Sequence, residues 1–287
     1  MSPRRIRPAV AADYQAFVRL FPELAVDDPI LAQEKFDREL LPTTIVVEAG
    51  AGAPEPERVI GYAYFQIMKD LAYVRHLVTA PEVRRTGVAR ALMAAVAERA
   101  RAAGCTSWCL NVMRANTPAR ALYEAVGLSA AFDTKALHLD WANVDAVAPD
   151  VQNTHVTSRL LEPDDDTRVE TALGLVSGQL AISRGFGGRV LMGLFERDGR
   201  DGRDTVVGGT VFDPTFPGAY PFRAARPDLA FALLRAIQPY ARPSDLHVKV
   251  VSEGQPTIAD ALIAAGARVV HDTVHMKGAL PALSADR

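Results

Sequence analysis

The segment Val83-Arg84-Arg85-Thr86-Gly87-Val88-Ala89 stands between an apolar, strand-like stretch and a run in which Val88, Leu92, Val96 and Ala100 recur every four residues. That recurrence reads as an amphipathic helix, and the segment before it as the turn leading into the helix N-terminus. The first amides of a helix have no intrahelical acceptor and lie at the positive end of the macrodipole, so such a turn can hold a phosphate-like anion. Gly87 and Ala89 permit close backbone approach, and Arg84 and Arg85 add positive charge in a nest-like arrangement. An ordinary solvated turn also accommodates glycine and arginine. A second segment of the chain decides between the two.

About thirty residues on, Asn116, Ala119, Leu122, Tyr123, Gly127 and Leu128 stand in the pattern N-x-x-A-x-x-L-Y-x-x-x-G-[FL]. A tyrosine held at a fixed place on a short helix can deliver a proton, although a core tyrosine would look the same in isolation. The two segments together, in this order, resemble the GNAT family of N-acetyltransferases. The first is similar to that family's R/Q-x-x-G-x-G/A cofactor loop, with Arg84, Gly87 and Ala89 at the defined places. The resemblance covers about residues 4 to 141 and is weak beyond.

The resemblance implies a mixed sheet splayed between the strands Ala72–Val78 and Ser107–Val112, with acetyl-CoA as cofactor and its pantetheine arm in the gap. Backbone groups near Leu77 and Val78 would bond the arm as an added strand does. Amides of Arg85, Thr86, Gly87, Val88 and Ala89 would hold the pyrophosphate, and Asn116 would touch the cofactor or its loop. The implied activity is direct acetyl transfer to a primary amine of a small molecule or peptide, with Tyr123 as general acid. The positions where a carboxylate base is expected hold Tyr73, with Arg75 beside it, and Asn111. His76 has a suitable ordinary pKa, but strict strand alternation turns it away from Tyr73 and Arg75. Asp27 and Asp28 could attract an ammonium group, though helix capping accounts for Asp28. The absence of a carboxylate base also suits an alternative, a non-catalytic acyl-CoA binding or sensing module.

The elements that must position these residues can be read along the chain. Arg5–Arg7 is a strand, Asp13 caps a helix carrying Phe17, Leu20 and Phe21, and Asp28-Pro29 starts a second helix. Ile45–Glu48 and Val59–Met68 form strands around a loop from Ala49 to Arg58, and Gly104 stops the helix from Gly87 to Ala103. Pro118 opens a short helix ending at Gly127, and Leu137, Leu139 and Trp141 mark a final strand. The aperiodic stretch Ala142–His155 reads as a domain boundary.

The second half repeats the first. Val206–Phe212 matches Val59–Phe65, Arg159–Asp166 matches the opening strand and acidic cap, and Leu229–Leu234 matches Val88–Met93. Leu246–Val251, Pro256 and Gly266 mirror Trp108–Val112, Pro118 and Gly127. The expected fold is therefore α/β with a mixed sheet: two GNAT-like domains in tandem, at 1–144 and 155–287, each a splayed, mostly antiparallel sheet flanked by helices. This alignment places Ala225, Pro227 and Asp228 at the positions of Arg84, Thr86 and Gly87, and Ala261 or Leu262 at that of Tyr123. The second copy is thus expected to lack cofactor. Phe212, Phe216, Tyr220 and Phe222, among Pro214, Pro217 and Pro221, could line a substrate wall or pack internally, and Gly185–Gly188 reads as a loop.

Composition bounds the rest. The 287 residues carry 32 Lys and Arg against 34 Asp and Glu, a formal charge of -2, which argues against nucleic acid as a partner. No apolar run approaches a membrane span and no signal-like segment opens the chain, so a cytoplasmic location is expected by default. Cys105 and Cys109 read as small buried hydrophobes rather than metal ligands. The motifs encode neither the acceptor nor the oligomeric state.

Overall fold

The computed structural model describes residues 4–26, 29–50, 58–147, 155–197 and 204–281. Its contacts form two units: Met1–Ala131 with Met276–Arg287, and Phe132–His275. The chain therefore changes unit at 131/132 and returns at 275/276, whereas the sequence suggested a single boundary within Ala142–His155, part of which lies outside the described residues.

In the first unit the strands are β1 (Arg5–Pro8), β2 (Thr44–Glu48), β3 (Val59–Met68), β4 (Leu71–Thr79) and β5 (Ser107–Met113), side by side in that order. All neighbours are antiparallel except β4 and β5. Helix α1 (Tyr14–Leu20) and a helical stretch of α2 (Gln33–Lys35) continuing as a π-turn through Phe36–Leu40 supply Phe17, Leu20, Phe21, Phe36 and Leu40. These pack with Val46, Tyr62, Tyr64 and Val78 in one core. Helix α3 (Val88–Ala102) packs on β2, β3 and β4, burying Val88, Leu92, Val96 and Ala100 at the fourfold spacing seen in the sequence. A Cβ on Gly61 would meet the Val78 carbonyl oxygen at 2.7 Å and Val47 and Val88 side chains at 3.3 Å, so a bare backbone there lets α3 begin close against the sheet. Helix α4 (Thr117–Ala125) follows β5.

In the second unit β7 (Val156–Leu160), β8 (Val190–Arg197), β9 (Asp204–Asp213), β10 (Gly218–Ala224) and β11 (His247–Glu253) repeat that order, again with one parallel pair, β10–β11. Helices α6 (Asp166–Leu173), α7 (Gln179–Gly185), α8 (Pro227–Ile237) and α9 (Pro256–Ala264) take the corresponding places. Phe212 and Phe222 are fully buried in this unit's own core with Leu229, Leu233 and Ile237, so they pack internally. Phe216 lies under the Lys249 ammonium.

Local devices recur in both copies. Arg7 grips Asp13 through both guanidinium tips at 2.7 and 2.9 Å, while the Val10 amide donates to the same carboxylate at 2.8 Å. Arg159, Asp165 and the Glu162 amide do the same at 2.6, 2.6 and 2.9 Å. A register shift leaves Ile60 as an extra residue of β3 and Val207 as an extra residue of β9, and their carbonyls accept from Ala80 and Ala225, each at 2.9 Å. The strands β6 (Ser129–Asp140) and β12 (Arg268–Ala279) each begin two residues after a left-handed glycine, Gly127 and Gly266. Residues 134–140 of β6 pair with β11 of the second unit, while Leu280, just past β12, donates to Thr106 of the first at 2.9 Å. Most of β6 thus belongs to the second unit, and β12 passes from the second unit into the first at 275/276.

Three local expectations are corrected. The Asp13 side chain makes no cap bond to α1, because Arg7 and the Val10 amide take both oxygens. The second helix begins at Gln33 rather than Pro29, with Ala32 still extended; Asp27 and Asp28 lie outside the described residues. Trp141 belongs to a short helix, α5 (Trp141–Ala146), not to the strand, and it is buried in the second unit's core.

Arg7 also donates to Glu48 at 2.7 Å, and the Asp13 and Glu48 side chains are only 5% exposed. Burial works to raise the Asp13 carboxyl, but the bonds from Arg7 and Val10 outweigh it, and both carboxyls lie below their ordinary values. A carboxylate with a depressed folded pKa stabilises the fold above its unfolded pKa and loses that contribution as pH falls through the folded value. Arg7→Met leaves Asp13 without its cationic partner and Glu48 with Arg58 alone at 3.3 Å, and is expected to cost about 3 kcal/mol at pH 7 in urea unfolding. That difference should shrink as the pH drops below about 4, and an undiminished gap at pH 3 would contradict the assignment.

Candidate active site

The turn before α3 has backbone geometry suited to an anion. Arg84 is extended, Arg85 is left-handed at φ +64° and Gly87, the N-cap, is left-handed at φ +88°. A non-glycine residue in the left-handed region costs on the order of 1 kcal/mol, and such strain gathers at functional sites. Among the described residues, the amides of Arg85, Thr86, Gly87, Val88 and Ala89 have no protein acceptor. A Cβ on Gly87 would find nothing within 4 Å, so the space beside Gly87 is open.

Side chains brace this turn from both ends. Arg4 donates to the Thr86 carbonyl at 2.7 Å and to its hydroxyl oxygen at 2.8 Å, and that hydroxyl donates to the Val83 carbonyl at 2.7 Å. Arg84 is ion-paired with Glu23, on the 3-10 turn Phe21–Leu24 that follows α1. Arg84 therefore holds the turn in place as well as contributing charge. Val88 offers its amide while its side chain is 1% exposed in the core. Arg4 and Glu23 carry no motif that would have marked them in the sequence.

The parallel ladder between β4 and β5 runs from Leu71–Ser107 to Val74–Leu110 and stops. Beyond it the strands part, leaving the β5-side edge of Leu77 and Val78 without a partner strand. At the same point β4 carries a bulge: Val74 pairs with Phe65 and His76 with Tyr64, so Arg75 is extra. The bulge corrects the reading of this strand by alternation. Tyr73 pairs with Gln66 and His76 with Tyr64, and since Gln66 and Tyr64 share one face of β3, Tyr73 and His76 share a face too. Arg75 stacks on the Tyr73 ring at 4.4 Å, and Asn111 donates to the Tyr73 hydroxyl at 2.9 Å. The His76 ring sits among Phe21, Tyr62 and Tyr64, with centroids 5.8, 6.0 and 5.3 Å away. Burial, helped by the Arg75 charge, pushes its pKa down to about 3.

Tyr123 lies on α4, whose start is fixed by the Asn116 side chain accepting from the Ala119 amide at 3.1 Å. The Leu128 amide donates back to the Tyr123 carbonyl at 3.0 Å around left-handed Gly127. Asn116 is thus engaged in positioning the helix that carries Tyr123. The tyrosine is 7% exposed, and burial pushes its phenol up to about 12, so it keeps its proton at neutral pH. Cys105 and Cys109 are both buried, and neither forms a disulfide among the described residues.

The second unit keeps the bulge but differs around it. Its β10–β11 ladder continues past the matching bulge to Phe222–Ser252. Arg223 and Tyr220 both bond Glu253, at 2.9 and 3.1 Å, and Gln255 donates to the Ala224 carbonyl at 2.9 Å. The matched bonds of Ala80 and Ala225 also correct the alignment made from sequence. Ala225 corresponds to Ala80, so Arg226 alone stands where seven residues, Pro81 to Gly87, lead into α3. Arg226 is itself paired with Glu196 and Asp228. The Ala267 amide bonds the Leu262 carbonyl as Leu128 bonds Tyr123, which settles Leu262 as the counterpart of Tyr123.

Among the described residues, no helix is long and apolar enough to cross a membrane. No curated protein sequence shows significant similarity to the chain. Several solved structures share its fold along nearly its whole length. An N-acetyltransferase from Sphaerobacter thermophilus is 18% identical, with a TM-score of 0.66 and 98% of each chain covered. A putative acetyltransferase from Pyrococcus horikoshii is 13% identical, with a TM-score of 0.70 over 97% of this chain and 90% of that one. A tandem GNAT protein from the clavulanic acid biosynthesis pathway is 19% identical, with a TM-score of 0.62 over 98% and 100%. The fold is thus that of tandem GNAT proteins, and the acetyltransferase (GNAT) family model matches residues 12–128. Residues 12–128, in the first half of the chain, therefore match the acetyltransferase (GNAT) family by sequence.

Proposed function

We propose that the first repeat binds acetyl-CoA and transfers its acetyl group to a primary amine of a small molecule or peptide. The observation that carries this reading is the run of amides from Arg85 to Ala89 without protein acceptors, at the start of a 15-residue helix and beside open space. Five such donors and a macrodipole suit a diphosphate. The unpaired edge of β4 at Leu77 and Val78 suits a pantetheine arm bonded in the manner of an added strand. Bound there, the cofactor supplies an acetyl thioester, whose carbonyl carbon accepts a nucleophile.

The chain's own residues then divide the work. The amides of the turn and of β4 bind and orient. Tyr123 holds a proton at neutral pH and serves as general acid toward the departing sulfur. The second repeat binds no cofactor in this reading, because its ladder is closed where the arm would enter and its turn has shrunk to Arg226. Its part in this reading is structural.

Two outcomes check the proposal. Calorimetry should show coenzyme A binding to the intact protein, weakened on the order of 100-fold by Gly87→Glu, which sets a carboxylate among the amides. Undiminished binding would refute the assignment of the turn. In a thiol-release assay with acetyl-CoA and a panel of amines, Tyr123→Phe should lower kcat by about 10²-fold or more at nearly constant KM for acetyl-CoA. An unchanged kcat would remove Tyr123 from the mechanism.

A further inference from the structure

The reaction needs a group to receive the proton that the amine loses, and the positions where a carboxylate is expected hold Tyr73, Arg75 and Asn111. The bulge at Arg75 changes which side chains share that face. It brings His76 round to the side of Tyr73, two residues beyond the last β4–β5 pair, where the strands have parted. His76 is partly exposed there. Its Nδ1 lies 3.4 Å from the Tyr62 hydroxyl. The groups facing the ring are Phe21 from the turn after α1, Tyr62 and Tyr64 from β3, and Arg75 from β4; none is a carboxylate.

The second repeat serves as an internal control. It keeps the bulge, with one extra residue on β10 between Ala219 and Phe222. Matching Ala225 to Ala80 sets Pro221 at the position of His76, and matching Val206–Phe212 to Val59–Phe65 sets Gly209 and Val211 at those of Tyr62 and Tyr64. The scaffold has therefore been kept where His76 and both tyrosines have been lost, along with the counterparts of Tyr123 and the anion-holding turn. A ring required only for folding would have no reason to disappear with them.

Resting on the transferase reading above, we infer that His76 is a catalytic residue that accepts the proton of the attacking amine. In the tautomer this requires, the Nδ1 hydrogen faces the Tyr62 oxygen and Nε2 presents a lone pair to the opening. The amine nitrogen bonds to the acetyl carbon as the carbon–sulfur bond breaks; the sulfur takes the proton of Tyr123, and the nitrogen passes its own to Nε2. The proton on His76 then leaves to water while the Tyr123 phenolate takes one back from water, so both residues are restored beside the acetamide and the thiol. An imidazole pushed down to about 3 cannot strip a free ammonium ion. It can take the proton once the new carbon–nitrogen bond has made that N–H strongly acidic, so the acceptor must arrive as the neutral amine.

The test uses the full chain, acetyl-CoA and an amine panel of ethanolamine, glucosamine, glycine amide and a short peptide with a free N-terminus, followed by thiol release. His76→Gln retains a donor for the Tyr62 oxygen and should lose about 10²-fold in kcat while KM for acetyl-CoA and coenzyme A affinity stay within about threefold. His76→Ala should be equally slow and should recover activity when free imidazole is added, a rescue that a purely structural role would not show. A His76→Gln variant as fast as the parent, a fall in coenzyme A affinity matching the fall in kcat, or no rescue by imidazole would overturn the inference while leaving the transferase reading intact. A parent protein that releases no thiol with any of these amines would overturn both.

Discussion

The structure turns on a short run of peptide N–H groups with nothing among the described residues to accept them. The amides from Arg85 to Ala89 cannot be satisfied by α3, because a helix has no acceptors before its own first turn. They can be served by water or by an anion, and an anion gains the macrodipole as well. Much of the first unit serves to keep this arrangement open and fixed. Gly61 lets α3 start against the sheet, Gly87 and the strained Arg85 turn the amides outward, and Arg4 and Glu23 hold the turn from either side. The cost of left-handed backbone at Arg85 is of the size that one charge-assisted hydrogen bond offsets.

The two repeats separate the features that both share from those that the first alone carries. Both keep an Arg–Asp clamp six residues apart, with Asp165 held at about 2 chiefly by its bond from Arg159. Both keep an extra residue in the third strand, whose carbonyl receives the amide that ends the fourth. Both keep a left-handed glycine before the last strand. These devices set register and curvature and are needed by any chain of this topology. The open ladder, the long turn, Tyr123 and His76 occur in the first repeat alone, and the second fills the same region with the Arg223–Glu253 pair and the Gln255 bond. A gap between parallel strands leaves backbone groups unpaired, so a repeat without a ligand for it is more stable closed.

Much of this architecture was legible in the sequence. The fourfold spacing from Val88 to Ala100, the alternation in β5 and the match of Val59–Phe65 to Val206–Phe212 all reflect burial, which the sequence records directly. The turn and Tyr123 could be named because glycine, arginine and tyrosine stand there at fixed offsets. What escaped was set by pairing. No residue type announces the bulge at Arg75, and one extra residue reverses the face on which every later side chain falls, as it did for His76. The exchange of β6 and β12 between units is equally silent, since either strand has the pattern to pair with either sheet edge. Alignment on helix residues alone set Ala225 against Arg84. The shortening of the turn to Arg226 became visible only through the bond that Ala225 shares with Ala80.

Amide hydrogen exchange, read residue by residue with and without coenzyme A, bears most directly on the claim that backbone donors of one repeat hold the ligand. Protection should appear at the amides of 85–89 and along β4 at 77 and 78, with no change from 220 to 229 in the second repeat. Protection confined to the second repeat, or none in the turn before α3 at saturating ligand, would contradict the account.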